Sequence, residues 1–341
     1  MKNATTDYPL LTVSSSPHIR NQETIARIMW SVVFALLPAT LFSIYLFGLP
    51  ALKTIAWCIG ACVGSEFLIQ KWQNKCPSIT DGSAVITGLL LAMNLPANLP
   101  WYMCISGAVV AIGLAKHTMG GLGYNIFNPA LIGRAFLMAS WPLAMTTWPK
   151  VDFYQQLDSL AYATNKVDAL TAATPLGILK GQGYEALVQS FGSSQDLYTA
   201  LFLGLRGGCL GETSCLLLLL GGIFLIYRGY INWQVPVTMI ATVGVLSWIF
   251  GGSTLFSGDP LLHMLSGGLF LGAFFMATDM VTIPITKKGQ FVFALGAGII
   301  ATLIRLKGGY PEGVSYSILL MNAVTPLIDK LIKPTPFGHR R

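Results

Sequence analysis

The run Gly88-Leu89-Leu90-Leu91-Ala92-Met93-Asn94-Leu95-Pro96 has a counterpart late in the chain, Gly272-Ala273-Phe274-Phe275-Met276-Ala277-Thr278-Asp279, with Pro284 soon after it. Both runs begin with glycine, stay apolar and reach a polar residue close to a proline. Related runs in the two halves of a chain are typical of inverted-topology repeats in membrane transporters. A chance match between two apolar runs is the alternative. The pair predicts a fold built from two related halves.

The composition places both halves in a membrane. Of 341 residues, 53% are hydrophobic and only 10% are charged, whereas soluble domains carry about 25% charged residues. Apolar runs approaching about 20 residues predict an all-α polytopic protein with about ten transmembrane helices in two inverted five-helix repeats. The predicted spans are residues 28–49, 51–70, 84–95, 101–115, 126–148, 213–227, 235–250, 262–277, 291–304 and 314–332.

The spans divide the chain into five parts. A polar N-terminal segment without a cleavable signal is expected at 1–24, the first membrane repeat at 25–148 and the second at 212–333. A long polar segment at 149–211 separates the repeats, and a short tail follows at 334–341.

Lysine and arginine positions orient these parts. With the N-terminus inside, the inner side collects 13 of the 21 basic residues and short outer loops hold 3. The positive-inside rule then predicts two cytoplasmic termini and a long segment facing outward, the periplasmic side of a bacterial inner membrane. Because the basic residues lie at the ends of apolar runs, the net charge of +7 does not indicate nucleic-acid binding.

Polar residues inside the apolar runs are candidates for an ion path or cofactor pocket, since charge at bilayer depth is unfavourable by about 2.5–3.5 kcal/mol. The strongest is Arg134, which follows the helix-breaking pair Asn128-Pro129. Asn94 and Asp279 end the two related runs. The alternatives are snorkelling or an interhelical ion pair for Arg134, and pairing with Lys287 for Asp279.

The stretch before the sixth span is a further candidate. Glu212 and Thr213 follow a glycine-rich turn, where exposed helix N-terminal amides favour an anion such as a flavin phosphate. Helix capping alone is the simpler interpretation. The nearby Cys209 and Cys215 are free to form a disulfide, although nothing requires it. The sequence contains no histidine or cysteine pair with metal-ligand spacing, so no metal site is expected.

The polar segment contains Asp168-Ala169-Leu170-Thr171-Ala172-Ala173-Thr174-Pro175-Leu176-Gly177. Small neighbours leave the threonine hydroxyls open to a bulky group. Pro175 disfavours helical geometry at Thr174 and favours an exposed turn there. On these ten residues alone, a solvated loop is the alternative.

Together these stretches resemble the RnfD and NqrB family of the Rnf (Rsx) electron-transport complex and the sodium-pumping quinone reductase. The resemblance extends in family order over almost the whole chain. The matching motifs are Ser15-Ser16-Pro17-His18, Gly120-Gly121-Leu122-Gly123, Phe127-Asn128-Pro129-Ala130, Asp168–Thr174, Gly211-Glu212-Thr213-Ser214, Ala277-Thr278-Asp279 and Leu319-Leu320-Met321-Asn322-Ala323.

The resemblance implies a cofactor. In the family pattern, FMN is joined through its phosphate to the last threonine, which is Thr174 here, with Asp168 and Thr171 at the other motif positions. Ala172 and Met280 depart from residues frequent in the family, and Met280 puts the geometry after Asp279 in question. A second, non-covalent flavin between the halves is a further possibility within the family.

The resemblance also implies partners. A threonine hydroxyl is a weak nucleophile, so a separate flavin transferase is expected to attach FMN. The other Rnf subunits must supply and remove electrons, which makes this chain one subunit of a redox-driven ion translocase rather than an enzyme alone. The alternatives are a flavin-free solute or ion channel with the same fold and an assembly or scaffold subunit.

Overall fold

The computed structural model describes residues 23–75, 78–149, 174–252, 254–309 and 313–334. Over these ranges the chain is helical and contains no β-strand, and every predicted span contains at least one helix. Three helices of the described ranges are long and apolar enough to cross a bilayer by length and composition: Ile25–Phe47, Leu49–Trp72 and Lys287–Lys307. The protein is an all-helical membrane protein, as the composition predicts.

The first half begins with two long helices, α1 (Ile25–Phe47) and α2 (Leu49–Trp72), which Gly48 joins with a positive φ of 68°. Shorter helices complete it: α3 (Ser83–Met93), α4 (Trp101–Val109), α5 (Pro129–Ser140) and α6 (Pro142–Thr146). The last turns of α4 continue as a π-helix at Val110–His117. The predicted fifth span is thus interrupted at Trp141, because Pro142 starts a new helix.

The polar segment contains helices where a loop was expected, α7 (Pro175–Phe191), which is kinked at Gly183 (φ 87°, ψ 178°), and α8 (Ser194–Leu203). Local signals account for both, because Pro175 occupies the first turn of α7 and Ser193 caps α8 by accepting from Asp196 N at 3.1 Å. Their leucines form a small core with the second half. The members of this core are Leu187, Leu197, Leu201 and Leu262.

The second half begins with α9 (Cys215–Tyr227) and α10 (Gln234–Phe250) and ends with α13 (Lys287–Lys307) and α14 (Val314–Leu331). Between them, the predicted eighth span forms two pieces rather than one helix. These are α11 (Pro260–Leu265) and α12 (Leu269–Leu271), the latter continuing as a π-helix at Gly272–Met276. The break contains Gly267, whose φ of 66° favours glycine.

Close packing holds each half together. In the first half, α3 lies on the backbone of α2, because a Cβ at Gly88 would come within 2.7 Å of Ile59 Cα. In the second half, α10 packs along α13. On the outside, α1 exposes Phe34, Leu41 and Tyr45, an apolar face suited to lipid.

Two basic residues used to orient the chain differ from expectation. Lys116, counted on the inner side, is 2% exposed, and Arg305, counted in an outer loop, is 4% exposed. Because neither charge lies in a solvated loop, neither can be counted in applying the positive-inside rule. Without these two residues, the inner side still has twelve basic residues and the short outer loops have two. The excess on the inner side therefore still predicts the same orientation.

Candidate functional site

Thr174 lies at the N-terminus of α7 and caps it. Its backbone is extended, with φ −65° and ψ 153°, and its hydroxyl oxygen accepts from Gly177 N at 3.1 Å. The prediction of a non-helical backbone at Thr174 is confirmed. The prediction of an exposed turn is wrong, because the residue is only 4% exposed.

The surroundings of Thr174 fit a phosphoester in one respect and oppose its formation in another. Free amides at a helix N-terminus and the positive end of the helix dipole favour a phosphate. Burial of the hydroxyl, however, restricts the access of a large modifying enzyme to it. The other two motif residues, Asp168 and Thr171, lie outside the described residues.

Glu212 and Thr213 lie in the connection that leads into α9. The carbonyl oxygen of Glu212 accepts from Arg206 Nε at 3.1 Å and Nη2 at 2.8 Å, and the Thr213 hydroxyl donates to the Leu210 carbonyl at 3.2 Å. Ser214 caps α9 by accepting from Leu217 N at 3.3 Å. The capping interpretation is confirmed at Ser214.

The turn before this connection requires a glycine. Gly204 ends α8 in the left-handed region, with φ 97°, and a Cβ there would come within 1.9 Å of Thr213 O. The close approach holds the polar segment against the start of the second half.

Arg134 projects from α5 into a buried polar cluster. Its Nη1 donates to Asn94 Oδ1 at 2.7 Å, and its Nη2 donates to Cys209 Sγ at 3.8 Å. At 5% exposure it does not snorkel. The structure therefore joins two of the predicted pocket residues, Asn94 and Arg134, by a direct hydrogen bond. The Cys209 thiol donates to Asn94 O at 3.3 Å and the Cys215 thiol to Leu265 O at 3.2 Å, so these cysteines form no disulfide.

The ends of the two related runs meet in the same region. Asn94 Nδ2 donates to Met276 Sδ at 3.5 Å, and Asn128 Nδ2 donates to Met276 O at 3.3 Å. In the amide orientation that satisfies both of its groups, Asn322 accepts from Asn128 N at 3.1 Å. Polar side chains thus take up backbone groups that the broken helices release.

An apolar cavity lies between the halves, beside this cluster. It has a volume of about 110 Å³, and part of it is open to the surface. Aromatic and aliphatic side chains such as Phe274, Phe275 and Tyr230 form most of its wall. A few polar groups converge on it: Ser83, Thr87, Lys116, Asn125, Asn128, Thr278 and Asp279.

Asp279 lies at the rim of the cavity. Its carboxylate receives long contacts from Val281 N at 3.5 Å and from the Thr282 hydroxyl at 3.4 Å. It forms no ion pair with Lys287, a residue that is also within the described ranges, so that alternative is wrong.

The sequence-based prediction missed one buried charge pair at the cavity wall. Lys116 Nζ donates to both carboxylate oxygens of Glu66, at 2.9 and 2.8 Å, and to Ser83 Oγ at 2.7 Å. The two partners are 50 residues apart in the sequence. A lysine directly after an apolar run is indistinguishable from a solvated flanking lysine, so the only available signal was Glu66 within a predicted span.

Comparisons with known proteins agree with the motif resemblance. The sequence model of the NQR2, RnfD, RnfE family matches residues 12–338. The D subunit of the proton-translocating ferredoxin:NAD(+) oxidoreductase complex of Clostridium ljungdahlii is 60% identical over 333 residues, covering 97% of each chain. The Na(+)-translocating counterpart of Acetobacterium woodii is 48% identical over 330 residues, covering 96% of this chain and 95% of the relative.

A more distant relative extends the same pattern. The D subunit of the ion-translocating oxidoreductase complex of Stutzerimonas stutzeri is 39% identical over 332 residues, covering 93% of each chain. These matches span nearly the full length of both partners, and each of the three relatives is named as the D subunit of its complex. The chain belongs to the NQR2, RnfD, RnfE family, and its similarity is to the RnfD subunits of Rnf complexes.

Proposed function

We propose that this chain is the membrane subunit of an Rnf-type complex that relays electrons between ferredoxin and NAD⁺ while a cation, H⁺ or Na⁺, crosses the membrane. The full-length similarity to the D subunits of such complexes is the observation that carries this proposal. The chain acts with the other Rnf subunits. Within the described residues it offers no cluster of potential metal ligands.

The covalent cofactor proposed for this subunit is FMN, joined through its phosphate to Thr174 Oγ. The amide of Gly177 already points at that oxygen, and the α7 N-terminus favours the phosphate charge. Asp168 and Thr171 are proposed to guide recognition by a flavin transferase. FMN supplies one-electron chemistry when bound, while the chain supplies its position and surroundings.

A second, non-covalent flavin is proposed for the cavity between the halves. The apolar wall with Phe274, Phe275 and Tyr230 suits a flat ring system, and the amides of Asn125 and Asn128 suit its carbonyl and nitrogen edge. These residues bind the ring and exclude water. Asp279 at the rim and the Asn94–Arg134 pair behind the wall are proposed to shape the electrostatics of the cofactor and of the cation path.

The proposed arrangement in the bilayer is ten spans in two inverted five-helix repeats. Residues 1–24 and 334–341 are then cytoplasmic, and 149–211 face the periplasm of a bacterial inner membrane. The contact between Asn94 and Met276, which lie near the ends of the two related runs, supports the repeat. The proposed orientation puts Thr174, Glu212 and Thr213 near the outer face.

One experiment tests both cofactors. The chain is co-expressed with its complex and a flavin transferase, purified, and denatured. Flavin fluorescence that stays with the denatured chain in a gel reports the covalent FMN, and flavin released into the supernatant reports the second one. Absence of both would favour the flavin-free channel, and retention of electron-transfer activity without either flavin would favour the scaffold alternative.

A further inference from the structure

Glu66 and Lys116 form a fully buried ion pair. Their side chains are 1% and 2% exposed, and the closest contact is 2.8 Å. Burying two charges is expensive even when they are paired, and an apolar pair is often no less stable. An ionisable pair within membrane helices therefore points to a function.

Hydrogen bonds extend the pair toward the cavity. Lys116 donates to Ser83 Oγ at 2.7 Å, and Ser83 in turn donates to Asp81 Oδ1 at 2.7 Å. Both Lys116 and Ser83 line the cavity. Ser83, fixed by Asp81, holds the ammonium group of Lys116 at the cavity wall.

The other side of the pair leads away from the cavity. His117 Nε2 approaches Glu66 Oε1 at 3.9 Å, and this buried nitrogen makes no hydrogen bond. Its side chain is 7% exposed, more than either member of the pair. The uncommitted nitrogen is placed to exchange a proton with the carboxylate after a small movement.

The other groups around the pair are few. Gln70 Nε2 donates to Glu66 Oε1 at 3.0 Å and to Ser78 Oγ at 2.7 Å. Cys62 on α2 lies in the electrostatic field of both charges, and Lys75 lies in that of His117. Because the amide of Gln70 has no proton that it can release, Gln70 orients the Glu66 carboxylate and does not carry protons itself.

The backbone brings these groups together. Lys116 and His117 end the π-helical stretch Val110–His117. The second π-helical stretch, Gly272–Met276, supplies Phe274 and Phe275 to the opposite wall. π-Helical turns are rare and frequently mark functional sites, and here one from each half borders the same cavity.

We propose that His117, Glu66 and Lys116 form a relay that carries protons from the side of His117 to the cavity. In the proposed orientation that side is cytoplasmic. The inference rests on the proposed function, because a flavin that is reduced in the cavity needs protons and the ammonium group of Lys116 at the cavity wall can donate them.

The relay balances in protons and charge. Lys116 Nζ releases one proton to the reduced isoalloxazine ring, which has received its electrons from the partner subunits. The neutral amine takes a proton from the carboxylic acid of Glu66, which has been protonated by the imidazolium of His117. The imidazole then regains a proton from the aqueous side, so one proton from solution reaches the cavity.

The test uses the purified complex with its flavins, reduced by light with a sacrificial electron donor in unbuffered solution that contains a pH-indicator dye; a sample of free flavin with the same donor corrects for protons that the donor releases. Flavin absorbance follows reduction, and the dye follows proton uptake. Because positioned general acids contribute about 10²–10⁴-fold, His117→Ala should slow proton uptake at least tenfold. Added imidazole should restore the rate by filling the space of the missing ring.

A second set of variants separates the relay from stability. Glu66→Gln leaves the Lys116 charge without its counterion and can prevent assembly, so the neutral double variant Glu66→Gln/Lys116→Gln is measured alongside it. The double variant should bind flavin but take up protons at least tenfold more slowly, without rescue by imidazole. His263→Ala, at a buried histidine that does not line the cavity, is the matched control and should keep the wild-type uptake rate.

Three outcomes would contradict these expectations. Unchanged proton uptake in His117→Ala and in the double variant, with full flavin content, would overturn the relay alone. Slowed uptake that imidazole does not restore in His117→Ala would remove His117 from its role and overturn the relay as proposed. A wild-type complex with no extractable flavin would overturn the flavin proposal for the cavity, together with the relay that depends on it.

Discussion

Replacing Thr174 separates its observed role, which is to cap α7, from its proposed role, which is to bear the flavin. Thr174→Val removes the hydroxyl that accepts from Gly177 N at 3.1 Å. Loss of such an N-cap typically destabilises a helix by about 1 kcal/mol. The first turn of α7 should then open about fivefold more often, and covalent FMN should be absent. Thr174→Asn keeps a good capping group without a hydroxyl, so it should lose the flavin but keep the helix.

Thr174→Ser completes the set, because it keeps both the cap and the hydroxyl and should carry FMN. The assay is in-gel flavin fluorescence after co-expression with a flavin transferase, backed by mass spectrometry of the 167–180 peptide. Hydrogen exchange of residues 175–191 measures helix opening. Full fluorescence in Thr174→Asn or Thr174→Val would refute the assignment, and equal exchange in Thr174→Val and wild type would refute the capping role.

Three further predictions follow from the geometry. Arg134→Leu leaves the amide oxygen of Asn94 without the hydrogen bond from Arg134, so the complex should lose about 1–3 kcal/mol of stability. Both Arg134→Leu and Asp279→Asn should reduce ion-coupled electron transfer in vesicles. Full coupling in both variants would mean that these residues have only a structural role. Gly204→Ala forces a Cβ to within 1.9 Å of a backbone oxygen and should lower the thermal midpoint, whereas Gly181→Ala, with open space around it, should not. A cysteine at the exposed Gln195 should react with an impermeant thiol reagent from the periplasmic side, and labelling only after the inner membrane is broken would reverse the orientation.

The helix-forming segments were predictable because apolar runs of membrane length have few other uses. The breaks within these helices were harder to predict from the sequence. Ser266-Gly267-Gly268 interrupts a run that otherwise has a continuous apolar pattern, and the extended backbone of Ser266 and the positive φ of Gly267 show that the helix stops there. Likewise, the effect of Pro175 was predicted for the residue before it but not for the residues after it, where proline in the first turn favours a helix.

The candidate site was predictable where one residue carries the signal and unpredictable where two distant residues share it. Arg134 stands out within an apolar run, and its hydrogen bond to Asn94 joins two residues that were each singled out on their own. Glu66 and Lys116, by contrast, are recognised as a site only because the structure shows that they form an ion pair. No local pattern distinguishes a lysine that is 2% exposed from one in a solvated loop, because burial of a flanking residue is decided by tertiary packing.

The proposed repeat has a physical counterpart in how each half holds its broken helix. In the first half, Lys116 near the end of the fourth helix reaches Ser83, the first residue of α3. In the second half, Arg305 near the end of α13 donates to Ser266 O at 3.1 Å and also to His263 O, both at the break before α12. A cation near a helix C-terminus is favoured by the helix dipole, and the backbone carbonyls at a break need donors. Each half thus places one buried basic residue against its third span, but Lys116 donates to a hydroxyl and to the Glu66 carboxylate, whereas Arg305 donates to backbone carbonyls.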